Sequence, residues 1–265
     1  MNIQTVHTDT CSMNYIRFGH GEKRFVIIPG LSVQSVLLSA EAIAAAFRSF
    51  TEDYTAYLFD RRSEVPEGYS IGDMARDTAQ AMKALELKDT HIYAASQGGM
   101  ISMIIAADYP ELAGKLVLAS TAAQVTRERY QVPESWVELA KAGRAEDLYM
   151  AFGSKVYPAD VFENLRSFFS ETAKTVTEQD LARFVILAES MKDFSAVDSL
   201  ERITCPVLVI GSRDDKVLGE AASEQIAEAI PGAELFLYDG YGHAVYDTAP
   251  DFTERMLDFF RHCSQ

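Results

Sequence analysis

The stretch His91-Ile92-Tyr93-Ala94-Ala95-Ser96-Gln97-Gly98-Gly99-Met100 decides how this chain folds. From Ile92 to Ala95 every residue is apolar or aromatic, without polar alternation, as in a strand covered on both faces. A second apolar run starts at Met100 and stops before Pro110, which reads as a helix over residues 98–109. Only a few residues separate strand from helix, so the backbone must turn sharply and present Ser96 at the C-terminal end of the strand. Such a turn brings neighbouring backbones close together, and Ala94 and Gly98, two residues to either side, are small enough to allow it. The amides that open the following helix favour negative charge at the same spot. An ordinary serine N-cap would look similar, so the reading depends on what else shares that edge of the sheet.

Outward from this stretch, apolar runs recur at residues 25–28, 54–59, 116–119, 207–210 and 235–238. They end at Pro29-Gly30, Asp60, Ser120, Gly211 and Asp239-Gly240 respectively. Helical patterns lie between them at 40–47, 70–85, 220–230 and 251–260, the second opened by Ser70 and Asp73 in a loose capping box. Strand and helix in this alternation predict an α/β fold with a mostly parallel, doubly wound sheet. The alternation breaks between residues 121 and 200. That segment has no strand-like run and reads as helices at 134–143, 146–152, 160–174 and 178–191, punctuated by Pro133, Gly143, Gly153 and Pro158. The expected organisation is a core of residues 1–120 and 201–265, with 121–200 inserted as a helical lid over the C-terminal edge of the sheet, where open α/β sheets bind ligands.

Three further segments reach that edge. Pro29-Gly30-Leu31-Ser32 follows the first apolar strand. In an acyl-transfer enzyme an amide from such a loop joins the amide after the nucleophile to bind an oxyanion, which nominates the backbone N–H groups of Leu31 and Gln97. Gly211-Ser212-Arg213-Asp214-Asp215 offers a carboxylate able to orient a histidine ring. Asp214 is the first choice, with Asp215 as the alternative. Of the five histidines, His7 and His20 lie near the N-terminus, His91 heads its strand at the wrong end, and His262 is in the C-terminal tail. His243, in Gly240-Tyr241-Gly242-His243, alone follows a strand in a glycine-rich loop. A lone histidine is more often structural than catalytic. The chain order Ser96, Asp214, His243 reverses that prior, being one of the orders in which such a triad recurs.

With these residues in place the chain resembles the α/β-hydrolase superfamily, in the subgroup with a helical lid between the sixth and seventh strands. The resemblance covers about residues 15–260. It is carried by Asp60-Arg61-Arg62, Tyr69-Ser70-Ile71, Asp77, the turn at Ser96, the run from Cys205 to Gly211, and Gly242-His243 followed by Pro250. Two positions depart from the usual pattern: Ala94 stands where glycine is common, and Pro29 where histidine often precedes Gly30. The resemblance implies a serine hydrolase acting on a small carboxylic ester or related acyl substrate, with Ser96 as nucleophile, His243 as base and an acyl-enzyme intermediate. Thioesterase or lactonase chemistry, or carbon–carbon bond hydrolysis of a vinylogous diketone, would use the same groups. A small-molecule receptor with an idle triad is the alternative from another class. Trp136, Tyr149 and Phe152 in the lid are candidate pocket residues.

Composition narrows the partners. The 265 residues carry a formal net charge of −15, which argues against binding nucleic acid or an anionic membrane. No stretch is long and apolar enough to span a bilayer, and the N-terminal sequence lacks the basic start and apolar run of a signal peptide. Cys11, Cys205 and Cys263 match no disulfide or metal spacing and read as reduced thiols of a cytoplasmic protein. No histidine or cysteine cluster suggests a metal, and the chemistry calls for no organic cofactor.

Overall fold

The computed structural model describes residues 1–262. Its strands are β1 (Gln4–His7), β2 (Ser12–Gly19), β3 (Lys23–Ile28), β4 (Tyr54–Arg62), β5 (Thr90–Ala95), β6 (Ala113–Ala119), β7 (Val207–Ser212) and β8 (Glu234–Tyr238). They form one sheet in the order β1-β2-β4-β3-β5-β6-β7-β8. The six apolar runs are the six parallel members, β3 to β8. The central residues of β3 to β7 are almost wholly buried because helices cover both faces, which is why they read as continuous apolar runs, whereas β8 at the sheet's edge is buried only at its end. The sequence reading missed β1 and β2. These add antiparallel at one edge, and β2 alternates between buried and partly open positions where it lacks full cover.

The crossover helices are α1 (Ala40–Ala46), α2 (Ile71–Ala84), α3 (Gln97–Asp108) and α8 (Ala221–Ala229), and after β8 come the short α9 (Val245–Thr248) and α10 (Phe252–Arg261). Helix α2 starts with the expected capping box: Ser70 accepts from the Asp73 amide, and the Asp73 carboxylate accepts from the Ser70 amide. Helix α3 is buried on nearly every side between the sheet, α2 and the helical turn Val197–Arg202, so its sequence has no polar face to reveal.

Between β6 and β7 lie four helices, α4 (Arg127–Lys141), α5 (Ala145–Val156), α6 (Ala159–Ala173) and α7 (Glu178–Glu189). Two residues expected to break this segment lie inside helices. Pro133 sits within α4, whose start is set seven residues earlier by the Thr126 hydroxyl accepting from the Arg129 amide. Gly153 sits within α5 because the rings of Phe162 and Phe169 fill the space a Cβ would need, at 2.6–2.8 Å. Among the described residues no helix is long and apolar enough to cross a membrane. Cys11 and Cys205 are free thiols, and Cys263 lies outside the described residues.

His91 begins β5 at the edge of the sheet away from Ser96, where its Nδ1 is 3.0 Å from the Tyr54 hydroxyl. Burial, with smaller contributions from Lys115 and Lys23, pushes its pKa down to about 4. The unfolded chain therefore takes up a proton on His91 near its ordinary pKa of about 6.5, while the folded chain does not until about pH 4. Stability contributed by the neutral ring is present above pH 6.5 and is lost as pH falls through that window. Urea midpoints at pH 7.5 and 5.0 should show a smaller acid-induced drop in His91→Gln than in the wild type; equal drops would remove His91 as a source of acid sensitivity.

Candidate active site

Ser96 occupies a backbone conformation that side chains rarely adopt, with φ 51° and ψ −121°. Its surroundings impose this. The Ser96 amide donates to the Ala119 carbonyl (2.8 Å), and the Ser96 carbonyl accepts from the Thr121 hydroxyl (2.7 Å). Helix α3 then begins at the next residue. The turn is tight enough that a Cβ on Gly98 would lie 2.1 Å from the Ile28 carbonyl oxygen and 2.5 Å from that of Pro29. A Cβ on Gly30 would approach the Ser96 Cβ to 3.1 Å. Glycine at 98 is therefore a steric requirement, and the loop after β3 passes directly against the serine.

The Ser96 side chain makes no capping bond to its own helix. Its hydroxyl lies 3.0 Å from His243 Nε2, and His243 Nδ1 lies 2.8 Å from Asp215 Oδ2. A carboxylate on Nδ1 fixes the proton there and leaves Nε2 free to accept from the serine. The second oxygen of Asp215 accepts from the amides of Val217 (2.8 Å) and Leu218 (3.1 Å), which hold the carboxylate in place. Ser96 and His243 are nearly sealed from solvent, at 6% and 2% exposure.

Asp214, the first choice from sequence, does not meet the histidine; the carboxylate on His243 Nδ1 is that of Asp215, the alternative. One Asp214 oxygen accepts from the Ser212 hydroxyl (2.5 Å) and the Gly240 amide (3.0 Å), the other from the Gly242 amide (3.1 Å). Burial pushes its carboxyl up, but the Ser212 hydroxyl and the two glycine amides outweigh this and hold it below its ordinary value. Asp214 thus pins the loop that carries His243. The physical reason for the change is strand length. Strand β7 continues through Gly211 to Ser212, which pairs with Tyr238, and the Asp215 amide closes a turn onto the Ser212 carbonyl. The acid facing the histidine is therefore the second of the pair, at the close of the turn that follows Ser212.

The two amides expected to bind an oxyanion lie on the elements that meet at Ser96. Gln97 is the first residue of α3, so its N–H has no acceptor within its own helix. Leu31 follows Gly30 in the loop packed against the serine. The inserted helices close on this region from two sides. The Gln97 side-chain amide donates to the Leu187 carbonyl in α7 (2.6 Å), and Arg183 in α7 donates to Asp60 (2.9 Å). On the other side the Ala244 amide, next to His243, donates to the Val156 carbonyl at the end of α5 (2.9 Å). Tyr149 reaches Gln34 beyond the Leu31 loop at 3.3 Å, and Trp136 packs on Phe152 with ring centroids 4.6 Å apart. A surface groove of about 1020 Å³ between residues 67–70 and helices α4 and α7 includes neither Ser96 nor His243. Among the described residues no cluster of three His, Cys, Asp or Glu side chains is arranged to hold a metal ion.

A model of the alpha/beta hydrolase fold matches residues 23–250. The chain belongs to this family. Among curated relatives of this α/β-hydrolase is RutD of Rhizobium rhizogenes strain K84, named as a proposed carbamate hydrolase. It is 29% identical over 228 residues, covering 85% of this chain and 87% of the relative. The same-named protein of Serratia proteamaculans strain 568 is 30% identical over 203 residues, covering 71% and 72%. Among solved structures, MGS-M2, an alpha/beta hydrolase enzyme from a Medee basin deep-sea metagenome library, superposes with a TM-score of 0.88 at 21% identity, covering 99% of this chain and 98% of that one. The enol-lactonase of Burkholderia xenovorans LB400 gives 0.83 at 20% identity, covering 98% and 100%. At these identities the structural likeness speaks to the fold.

Proposed function

We propose that this α/β-hydrolase is a serine hydrolase of small carboxylic esters or related acyl compounds, working through an acyl-enzyme on Ser96. The observation that carries the reading is the continuous hydrogen-bonded line from Ser96 Oγ through His243 to Asp215. In the proposed reaction the Ser96 oxygen attacks the substrate carbonyl while His243 Nε2 takes its proton. The Leu31 and Gln97 amides stabilise the oxyanion, and losing one such donor typically costs about 3–4 kcal/mol in the transition state. His243 returns the proton to the leaving group, then takes one from the water that releases the acid. Asp215 stabilises the imidazolium.

Turnover of p-nitrophenyl acetate and butyrate tests the reading. Many turnovers per protein support an enzyme; one equivalent released and then silence supports a binder with an idle triad. A panel of esters, thioesters, lactones, carbamates and vinylogous diketones then ranks substrate classes. Carbamates belong in it because of the name borne by the RutD relatives.

The inserted helices serve as a lid that selects among substrates. Tyr149 and Phe152 lie in α5, whose end holds the histidine loop, and Tyr149 reaches across to the loop beyond Leu31. Substituting Trp136, Tyr149 or Phe152 by alanine should shift preference across an ester chain-length series by roughly tens to a few hundredfold, since a methylene in an apolar pocket is worth about 1–3 kcal/mol. Labelling by a small fluorophosphonate should survive. Unchanged selectivity in all three variants, with only stability lost, would make these residues packing.

A further inference from the structure

The two adjacent arginines at the end of β4 go to opposite sides of the sheet, as alternate strand positions must. Arg62 lies on the α2 side. It donates to Asp77 (3.3 Å) and to the Thr10 carbonyl (3.3 Å), and sits over the Tyr69 ring. Arg61 goes to the site. One of its terminal nitrogens donates both to the Pro29 carbonyl (2.7 Å) and to the Gln97 side-chain oxygen (3.3 Å). Those two acceptors belong to the two separate elements that carry the candidate oxyanion amides. Pro29 precedes Gly30 and Leu31, and Gln97 supplies its own N–H.

Arg61 is 5% exposed. Burial pulls its pKa down to about 10, and the neighbouring Asp60 opposes that fall, so the guanidinium stays charged at neutral pH. A buried cation is costly unless it is well paired and hydrogen-bonded. Asp60 is itself engaged with the Arg183 guanidinium and the Ser35 hydroxyl (2.6 Å), so it gives Arg61 charge without a side-chain contact of its own. Further along, this loop is tied by the Ser32 hydroxyl donating to the Gln34 carbonyl (2.7 Å) and by Ser35 donating to Asp60, but its first turn, at Pro29, is held by Arg61. Gly30 has no side chain, and the peptide that carries the Leu31 N–H can rotate about it. Anchoring the Pro29 carbonyl fixes the plane one residue upstream. Anchoring the Gln97 side chain, whose amide end is held by the Leu187 carbonyl, fixes the other element.

We infer that Arg61 is a positioning residue that clamps the Leu31 and Gln97 amides at the spacing an oxyanion needs, acting through Pro29 and the Gln97 side chain. This rests on the serine-hydrolase reading. It adds that oxyanion binding here depends on a buried cation which itself touches no substrate. The positive charge behind the two amides also favours the charge that develops on the carbonyl oxygen.

The experiment compares Arg61→Met, Arg61→Gln, Arg61→Lys and Arg62→Met with the wild type, using p-nitrophenyl butyrate turnover, the rate of fluorophosphonate labelling, and thermal unfolding. In Arg61→Met and Arg61→Gln, kcat should fall roughly tenfold to a hundredfold, somewhat less than the loss of an oxyanion donor itself. KM should stay within about threefold, because the clamp acts on the transition state more than on the bound substrate. The labelling rate should fall in parallel. Arg61→Lys, which can still donate to one or both acceptors, should recover part of kcat. Arg62→Met should lose stability while keeping kcat. If Arg61→Met does not fold, Arg61→Gln carries the comparison, since its shorter amide cannot reach both acceptors, and Arg61→Lys against wild type reports the same clamp. Wild-type kcat in a folded Arg61→Met or Arg61→Gln protein overturns the inference, as does an equal kcat loss in Arg62→Met. These results leave the hydrolase reading intact so long as wild-type Ser96 is labelled. A wild-type protein whose Ser96 takes no label removes that reading and the clamp together.

Discussion

Replacing Ser96 by alanine should lower turnover by on the order of 10⁶ and abolish fluorophosphonate labelling, with little change in thermal stability. The size follows from the geometry. The hydroxyl is the proposed nucleophile at the head of this line, and the base His243 has no proton to take from Ser96 without it. Alanine fits the turn as well or as poorly as serine does, since both carry a Cβ at φ 51° and the backbone is held by Ala119 and Thr121. Stability therefore has only one side-chain hydrogen bond to lose. His243→Ala should cost about as much, and the double variant scarcely more, because groups that act as a unit lose their effect together. His91→Ala should keep activity, as His91 lies at the opposite end of β5. Turnover of p-nitrophenyl butyrate by each purified variant, with labelling read by mass, settles the assignment. Label that persists in Ser96→Ala would place the nucleophile elsewhere.

The parts of this molecule that were legible in the sequence are those where local chemistry and tertiary position agree. Five of the parallel strands, β3 to β7, announce themselves because both faces are buried, and the partly open β8 still carries the apolar run at residues 235–238. Ser96 and His243, picked out by their places at the C-terminal ends of strands and by their order, lie 3.0 Å apart. The edge hairpin of β1 and β2 was not picked out, because its pattern is interrupted by the bulge between Met13 and Tyr15 and by polar positions open to solvent. Pro133 and Gly153 misled because their usual meaning is local, whereas here it is set by neighbours: a cap seven residues upstream in one case, two phenylalanine rings in the other. Arg61 counted in the sequence only as part of Asp60-Arg61-Arg62 in the family resemblance, with no role attached to it. Its role depends on Pro29, 32 positions earlier, and Gln97, 36 positions later, and nothing in the chain near residue 61 marks that meeting.

Asp215→Asn should cost about 10⁴ in kcat, while Asp214→Asn should cost far less, reversing the order that the sequence suggested. The argument turns on which way the new amide must face. One Asp215 oxygen accepts from the Val217 and Leu218 amides, and only the carbonyl oxygen of asparagine can keep those two bonds. The NH₂ group is then left at the position that meets His243 Nδ1, 2.8 Å away. Two donors cannot face each other there, so the ring moves its proton to Nε2 and can no longer take one from Ser96. Folding should be nearly unaffected, because the loop bonds survive. Asp214→Asn has a different effect. It removes charge from a carboxylate that holds the Ser212 hydroxyl and the Gly240 and Gly242 amides, and an amide can serve only some of these. The histidine loop should loosen, with stability down by about 1 kcal/mol, since the site is partly open to water, and kcat reduced by less than tenfold. Steady-state kinetics and urea unfolding of both variants give opposite patterns: activity lost with stability kept at 215, stability lost with activity largely kept at 214. The reverse pattern would return the orienting role to Asp214 and mean that the His243–Asp215 contact is not the one used in turnover.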